Sequence, residues 1–331
     1  MIGDPVDRRS WALLVILGAV WGASFLLTAI AIRDLAVPVV ALLRTGIGAL
    51  VLLPIALARG ALAGLGRQLG PIFVLALVQL AGPFLLIGYG QRHVASGLAG
   101  ILVASTPLWT ALLAVRLDRE ERSHGWSLAG IGIGIVGVAL LLGVQLDGSL
   151  DTMLGALMLL LAGLGYAAGG FLAKRSVRGM VPLGAVTAAM LAGSVVLAPF
   201  ALATLPSEPP RAGPVMAAVA LGAISGGLGW LLYYTILATA GAARAAIAMY
   251  LVPAFAVLYG AVLLDEPVTA AALAGLALVV AGSALAAGRN PRSRARRRAR
   301  EEPLPTSESL PGVSRPAGAA VRPPAPGHRR T

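Results

Sequence analysis

Two stretches, "EERSHGWSLAGIGIGIVGVALL" (residues 120–141) and "DEPVTAAALAGLALVVAGSALA" (residues 265–286), decide the fold. Aligned without gaps, Glu121 falls on Glu266, Gly130 on Gly275 and Gly137 on Gly282. Upstream, "ASGLAGILVASTP" (95–107) lies over "GAARAAIAMYLVP" (241–253), which sets Pro107 on Pro253. Between proline and glutamate the first copy is one residue longer. The starts agree more loosely: "GAVW" (18–21) answers "GLGY" (163–166), and Pro38 answers Pro182. Self-similarity at this spacing predicts two copies of one unit, residues 1–147 and 148–288.

Each copy is apolar almost throughout. The chain has 331 residues, 58% hydrophobic and only 12% charged, against about 25% charged in a soluble domain. Apolar runs of about 20 residues, the length that crosses a bilayer as a helix, occur at about 11–32, 37–58, 69–90, 94–115, 126–145, 152–173, 181–203, 214–237, 242–264 and 268–287. Barrel strands would show short segments of alternating polarity, and none appear. The first run follows "DPVDRRS" and at 22 residues exceeds the roughly 7–15 of a signal-peptide core, so it is expected as a retained helix. The predicted fold is an all-α polytopic membrane protein with ten transmembrane helices in two five-helix repeats. An odd number of spans per repeat inverts the second copy, the architecture of many secondary transporters.

The net charge of +12 is concentrated at the end of the chain, where "RNPRSRARRRAR" (289–300) holds seven arginines. Residues 289–331 lack the apolar content to fold and are expected as a disordered, basic, Pro-rich tail that meets anionic lipid headgroups. No aromatic residue is interleaved with these arginines, which argues against nucleic acid as a partner. Ahead of the tail, eleven basic residues fall in loops on the side of the termini and three (Arg33, Arg92 and Arg211) on the other. The positive-inside rule then places both termini in the cytoplasm. Arginine supplies 25 of the 26 basic residues, a bias that points to a GC-rich bacterial genome and hence to a bacterial cytoplasmic membrane.

Ten helices in two such copies, each with a mid-span proline in its fourth helix and Glu followed by Gly-x6-Gly at its fifth, resemble the EamA family of the drug/metabolite transporter superfamily. The resemblance covers about residues 11–287. It implies movement of small organic solutes, often amino acids or related metabolites, frequently as export. The first copy departs from the pattern by its extra residue and by the charges of "LDREERSHG" (117–125).

Candidate residues for a substrate path are polar or aromatic groups set inside the spans. Arg44 is the one charge well within a span, roughly 9 Å along the helix from its outer end. It reads either as an anchor for a substrate carboxylate or phosphate, or as a structural arginine that snorkels or pairs with a glutamate. Ala188 stands near the matching place in the second copy. Trp21, Gln79, Tyr166 and Trp230 sit near mid-span, where an unpaired polar group against lipid is costly. Trp21 and Tyr166 occupy equivalent positions in the two copies. Trp230 with Tyr233 and Tyr234 offers aromatic walls, although aromatics at helical spacing also serve packing alone. Pro107 and Pro253 each remove one backbone hydrogen bond in mid-span, which suits hinges or plain kinks. Glu121 and Glu266 mark the repeat. Glu266 precedes the last helix, where it favours the helix dipole with Thr269 as a cap, and could pair with Arg44 as a gate.

No catalytic residue, cofactor or metal site is expected: the chain has no cysteine, and no Asp, Glu or His lies within a span. An intramembrane enzyme is therefore disfavoured. Coupling through a buried carboxylate is disfavoured on the same ground. The predicted function is a secondary transporter, an exporter or facilitator, for small amphipathic metabolites such as amino acids, working by alternating access as a monomer or homodimer. A flippase for lipid or lipid-linked substrates, or a non-transporting membrane scaffold, are the alternatives.

Overall fold

The computed structural model describes residues 8–117, 125–145, 149–176, 180–240 and 242–287. Among them there is no strand. Seven helices are long and apolar enough to cross a membrane, and three shorter apolar helices, Leu128–Leu141, Ile247–Leu263 and Ala270–Ala286, occupy the other places where spans are expected. The tail and Glu121 lie outside the described residues.

Helix α1 (Arg8–Ala31) leads into α2 (Val37–Ala58). The third rod is compound: α3 (Leu69–Leu75), a π-helical turn at Ala76–Ala81, and α4 (Gly82–Gly90). The fourth is broken into α5 (Ser96–Val103) and α6 (Thr106–Leu117). Then come α7 (Gly125–Gln145), α8 (Leu150–Ser176) and α9 (Pro182–Leu202). The eighth rod repeats the compound design, with α10 (Ala212–Ala220), a π-helical turn at Leu221–Leu228, and α11 (Gly229–Ala240). Helices α12 (Ala242–Leu263) and α13 (Ala270–Ala287) close the bundle.

Local chemistry accounts for the irregularities. Pro38 and Pro182 stand in the first turns of α2 and α9, where the missing N–H would have no partner anyway. Pro83 cannot donate to the ladder, and one residue ahead of it the Gly82 N–H reaches back to the Leu77 carbonyl, the five-residue step of a π turn. Pro107 has a larger effect. The span expected over 94–115 is two helices, interrupted at Ala104–Ser105, and the Val103 carbonyl freed by Pro107 accepts the Thr106 hydroxyl at 2.7 Å. Its counterpart Pro253 is buried within an unbroken α12, so the two prolines act differently on their helices.

Packing joins the first half of the chain to the second. Helix α7 lies on α13, α2 on α9, α1 on α12, α8 on α4, and α5 on α12. The π-helical turn of each compound rod packs against the second helix of the other half: Ala76–Ala81 against α9, and Leu221–Leu228 against α2. Glycine makes the closest approaches feasible. A Cβ at Gly226 would stand 2.9 Å from the Arg44 carbonyl oxygen, and one at Gly137 would stand 3.2 Å from the Gly275 carbonyl oxygen. Buried hydroxyls return to their own helix, Thr28 to Ser24, Thr45 to Ala41 and Thr187 to Leu183. The outer surface is strongly apolar: Val195 is 74% exposed and Leu50 67%, which suits contact with lipid chains and not with water.

Candidate functional site

The structure places the substrate-path candidates Trp21, Arg44, Gln79, Tyr166, Trp230 and Tyr234 on helices that pack across the two halves. Arg44 projects from α2 and is only 9% exposed, so it does not snorkel. Its guanidinium carbon lies 3.9 Å from the centre of the Phe84 ring on α4. Tyr166 of α8 packs against the buried cluster that contains Phe84. The Nε has no hydrogen-bond partner, and α4, α9, α10 and both π-helical turns, all packed against α2, contain no Asp or Glu. An arginine at the centre of a membrane helix costs about 2.5–3.5 kcal/mol on insertion scales. A desolvated cation–π contact returns about 2 kcal/mol. The charge is thus partly stabilised and lacks a counter-ion among the described residues.

Beside it lies an aromatic cluster. Trp21 of α1 meets Trp230 and Tyr233 of α11 with ring centroids 5.6 Å apart in each case. Trp230 stacks on Tyr234 at 5.7 Å. Tyr166, Trp230 and Tyr234 pack against the same buried cluster that contains Phe84, which connects the aromatic group to the arginine. The cluster is anchored on the second π-helical turn: the Trp21 Nε1–H donates to the Ser225 carbonyl at 3.2 Å, and the Ser225 hydroxyl donates to the Val20 carbonyl at 3.1 Å. Gln79, in the first π-helical turn, is laid along α8, where a Cβ at Gly169 would stand 2.7 Å from its Cγ. Gly169 is one turn beyond Tyr166.

Pockets open at opposite ends of the bundle. One, of about 400 Å³, is lined by Arg59, Leu183, Leu231, Tyr234, Thr235 and Thr239 among others. The other, of about 290 Å³, is lined by Arg33, Gln91, Arg92, His93, Ser96 and Glu266 among others. Glu266 does not reach Arg44. Its carboxylate accepts the Ser96 and Gly97 backbone amides at 2.7 and 2.9 Å and so caps α5. The cap on α13 is Thr269, whose hydroxyl accepts the Ala272 amide at 3.1 Å. Asp265, immediately before Glu266 in the chain, adopts a left-handed φ of 54°.

At the end of the second pocket Asp34, after α1, binds Arg211, before α10, through the Arg211 backbone amide at 3.1 Å and through its guanidinium. The hydrogen bond from the Arg211 side chain holds the Asp34 carboxyl below its ordinary range, and Asp34 in turn pushes the guanidinium up. The sequence places Arg211 on the side away from the termini but does not reveal its pairing with Asp34. Sequence reasoning also passed over Phe84, a mid-span phenylalanine with no polar atom to draw notice, and Gln91, whose Nε2 donates to the Phe25 carbonyl at 3.0 Å. Among the described residues no group of three His, Cys, Asp or Glu side chains converges as a metal site.

Seven helices long and apolar enough to cross a membrane put the protein in the class of multi-pass membrane proteins. The profile of the EamA-like transporter family matches the chain twice, over residues 9–143 and 153–288, and the chain belongs to that family. A "Probable amino-acid metabolite efflux pump" of Escherichia coli is 24% identical over 288 residues, covering 84% of this chain and 94% of that protein. A "Probable terminal-alkyne amino-acid exporter" of Streptantibioticus cattleyicolor is 27% identical over 301 residues, covering 90% and 98%. A solved crystal structure matches with a TM-score of 0.62 at 23% identity, over 84% of this chain and 97% of that one, and shares the fold.

Proposed function

We propose that this protein is a secondary transporter, an exporter or facilitator, that moves small amphipathic metabolites such as amino acids by alternating access. The observation that carries the reading is the aromatic cluster in which Trp21 from the first half of the chain meets Trp230 and Tyr233 from the second. A site formed where the halves touch is remade whenever they rock against each other. The two relatives named for amino-acid export support the cargo class.

The same reading takes the chain as ten crossings, in two repeats of opposite orientation at 1–147 and 148–288, with both termini in the cytoplasm. Two observations support it: a π-helical turn recurs in the third helix of each half, and each packs on the second helix of the other. On this orientation the 400 Å³ pocket beside Arg59 and Tyr234 opens to the cytoplasm, and the pocket beside Glu266 opens outward. Among the described residues the only carboxylate inside a candidate span is Asp151, in the first turn of α8, and the lack of one at mid-span favours exchange or facilitated movement.

The test is counterflow in proteoliposomes loaded with a metabolite mixture, with and without a pH gradient. Uptake of labelled amino acid driven by internal amino acid is expected in both conditions. Vesicles that exchange nothing from the mixture, or that flip fluorescent lipid instead, reject the reading. Reporter fusions at both ends are expected to report a cytoplasmic location.

A further inference from the structure

Arg44 raises a question of charge that the transport reading leaves open. Its side chain is more than nine-tenths buried, its Nε is unpartnered, and no acidic residue stands on the packed helices named above. Yet a cation of this kind is retained in membranes when something neutralises it during function. The contact it does have is with an aromatic face, Phe84, and Tyr166 packs on the same buried cluster as that ring. Neither supplies negative charge at neutral pH. Trp230 and Tyr234 pack on the same buried cluster as Phe84 and Tyr166.

Resting on the transport reading, we infer that Arg44 is the receptor for a single carboxylate, and that the cargo is a carboxylate-bearing solute with an apolar or aromatic body. The carboxylate takes hydrogen bonds from the guanidinium edge, which a planar two-oxygen acceptor matches. The body packs toward Trp230 and Tyr234. A single cation in an apolar surround balances a monoanion. A phosphate monoester would bring a second charge that no described neighbour of Arg44 offsets, so a phosphorylated solute or a phospholipid headgroup is the poorer fit. The ammonium of an amino acid has no acidic partner there and is left to the aromatic faces, which attract cations.

The experiment has two independent readouts on the full-length protein. Tryptophan emission, reporting through Trp21 and Trp230, measures binding of L-leucine, L-methionine and L-phenylalanine, of their C-terminal amides, of phenyl phosphate and of a short-chain phosphatidylglycerol. Proteoliposome counterflow measures exchange of the same amino acids and amides. Wild-type protein is expected to bind at least one free acid about tenfold or more tightly than its amide, since a site built to pair a polar group rejects the analogue that lacks it. Arg44→Gln should erase that difference by weakening the acid alone, and Arg44→Lys should restore part of it.

Equal binding of acid and amide by the wild type overturns the carboxylate assignment, and that comparison needs no variant to fold. So does equal loss of both ligands in Arg44→Gln, stronger binding of phenyl phosphate or the lipid than of any acid, or no response to any acid. Acid-selective binding without counterflow sinks the transport reading and keeps the carboxylate site. Counterflow with no preference for the acid does the reverse.

Discussion

The Glu266 carboxylate accepts the Ser96 amide at 2.7 Å although 170 residues of chain separate them. With Gly97 bound to the second oxygen at 2.9 Å, the loop ahead of α13 satisfies buried amides at the start of α5 that have no partner within the helix. Removing such a cap costs about 0.5–2 kcal/mol. Glu266→Ala should therefore lower the unfolding temperature of the detergent-solubilised protein clearly. Glu266→Gln, which keeps one carbonyl acceptor but no charge, should fall between alanine and wild type. Equal unfolding temperatures for the three proteins would show that this contact does not hold the bundle together.

The two stretches that revealed the duplication pack against each other. Glycines that align in sequence cross in space: Gly130 lies against Gly282, and Gly137 against Gly275. A Cβ at Gly130 would stand 2.7 Å from the Gly282 carbonyl oxygen, backbone that cannot move aside. Overpacking of this kind costs about 1–3 kcal/mol. Gly132, two residues on, has open space around it, and alanine there gains up to about 1 kcal/mol of helix propensity. Thermal unfolding should thus show Gly130→Ala destabilised and Gly132→Ala unchanged or improved. The reverse order would contradict the α7–α13 contact.

These glycines show why much of the fold was legible in the sequence. Apolar runs of fixed length announce helices because lipid leaves the backbone no other partner, and aligned small residues announce close packing. Trp21, Tyr166 and Trp230 were noticed because each carries a polar atom at membrane depth. What the sequence hid depends on contacts made across the chain. Phe84 is an ordinary apolar residue until Arg44 is laid on it, and the reach of Glu266 to α5 is visible only once α5 and α12 are packed together. The π-helical turn before Pro83 has a local cause. The one at Leu221–Leu228 has no proline, and its glycines read equally well as plain packing residues. Pro107 and Pro253 align, yet only Pro107 interrupts its helix, because a repeated residue need not repeat its surroundings.

Trp21 separates the structural from the functional share of the aromatic cluster. Its Nε1–H donates to the Ser225 carbonyl at 3.2 Å, and its ring contacts Trp230 and Tyr233. Trp21→Phe keeps a ring and loses the hydrogen bond, a net effect of about 0.5–1.5 kcal/mol. Trp21→Ala removes the ring and leaves a void between the halves, for about 3–5 kcal/mol. Counterflow should survive in Trp21→Phe, at a reduced rate, and be lost in Trp21→Ala even where the protein remains inserted and monodisperse. Full exchange by the alanine variant would remove Trp21 from the substrate path.

The ion pair of Asp34 with Arg211 predicts a response to acid with a definite sign. Hydrogen bonding from Arg211 lowers the Asp34 carboxyl below its ordinary value of 3.8, so the folded state favours the charged form. The stabilisation is fully present above that ordinary value and is lost as pH falls through the lowered one. Arg211 is 75% exposed, so salt screens the pair and the effect is modest. At neutral pH and low salt, Asp34→Asn should unfold at a slightly lower temperature than wild type. The gap should narrow as salt is raised, and it should close only in acid below the lowered value, where folded wild-type Asp34 is itself neutral. A gap that persists unchanged in strong acid would mean that asparagine disturbs the turn after α1, and that the charge of Asp34 is not what ties α1 to α10.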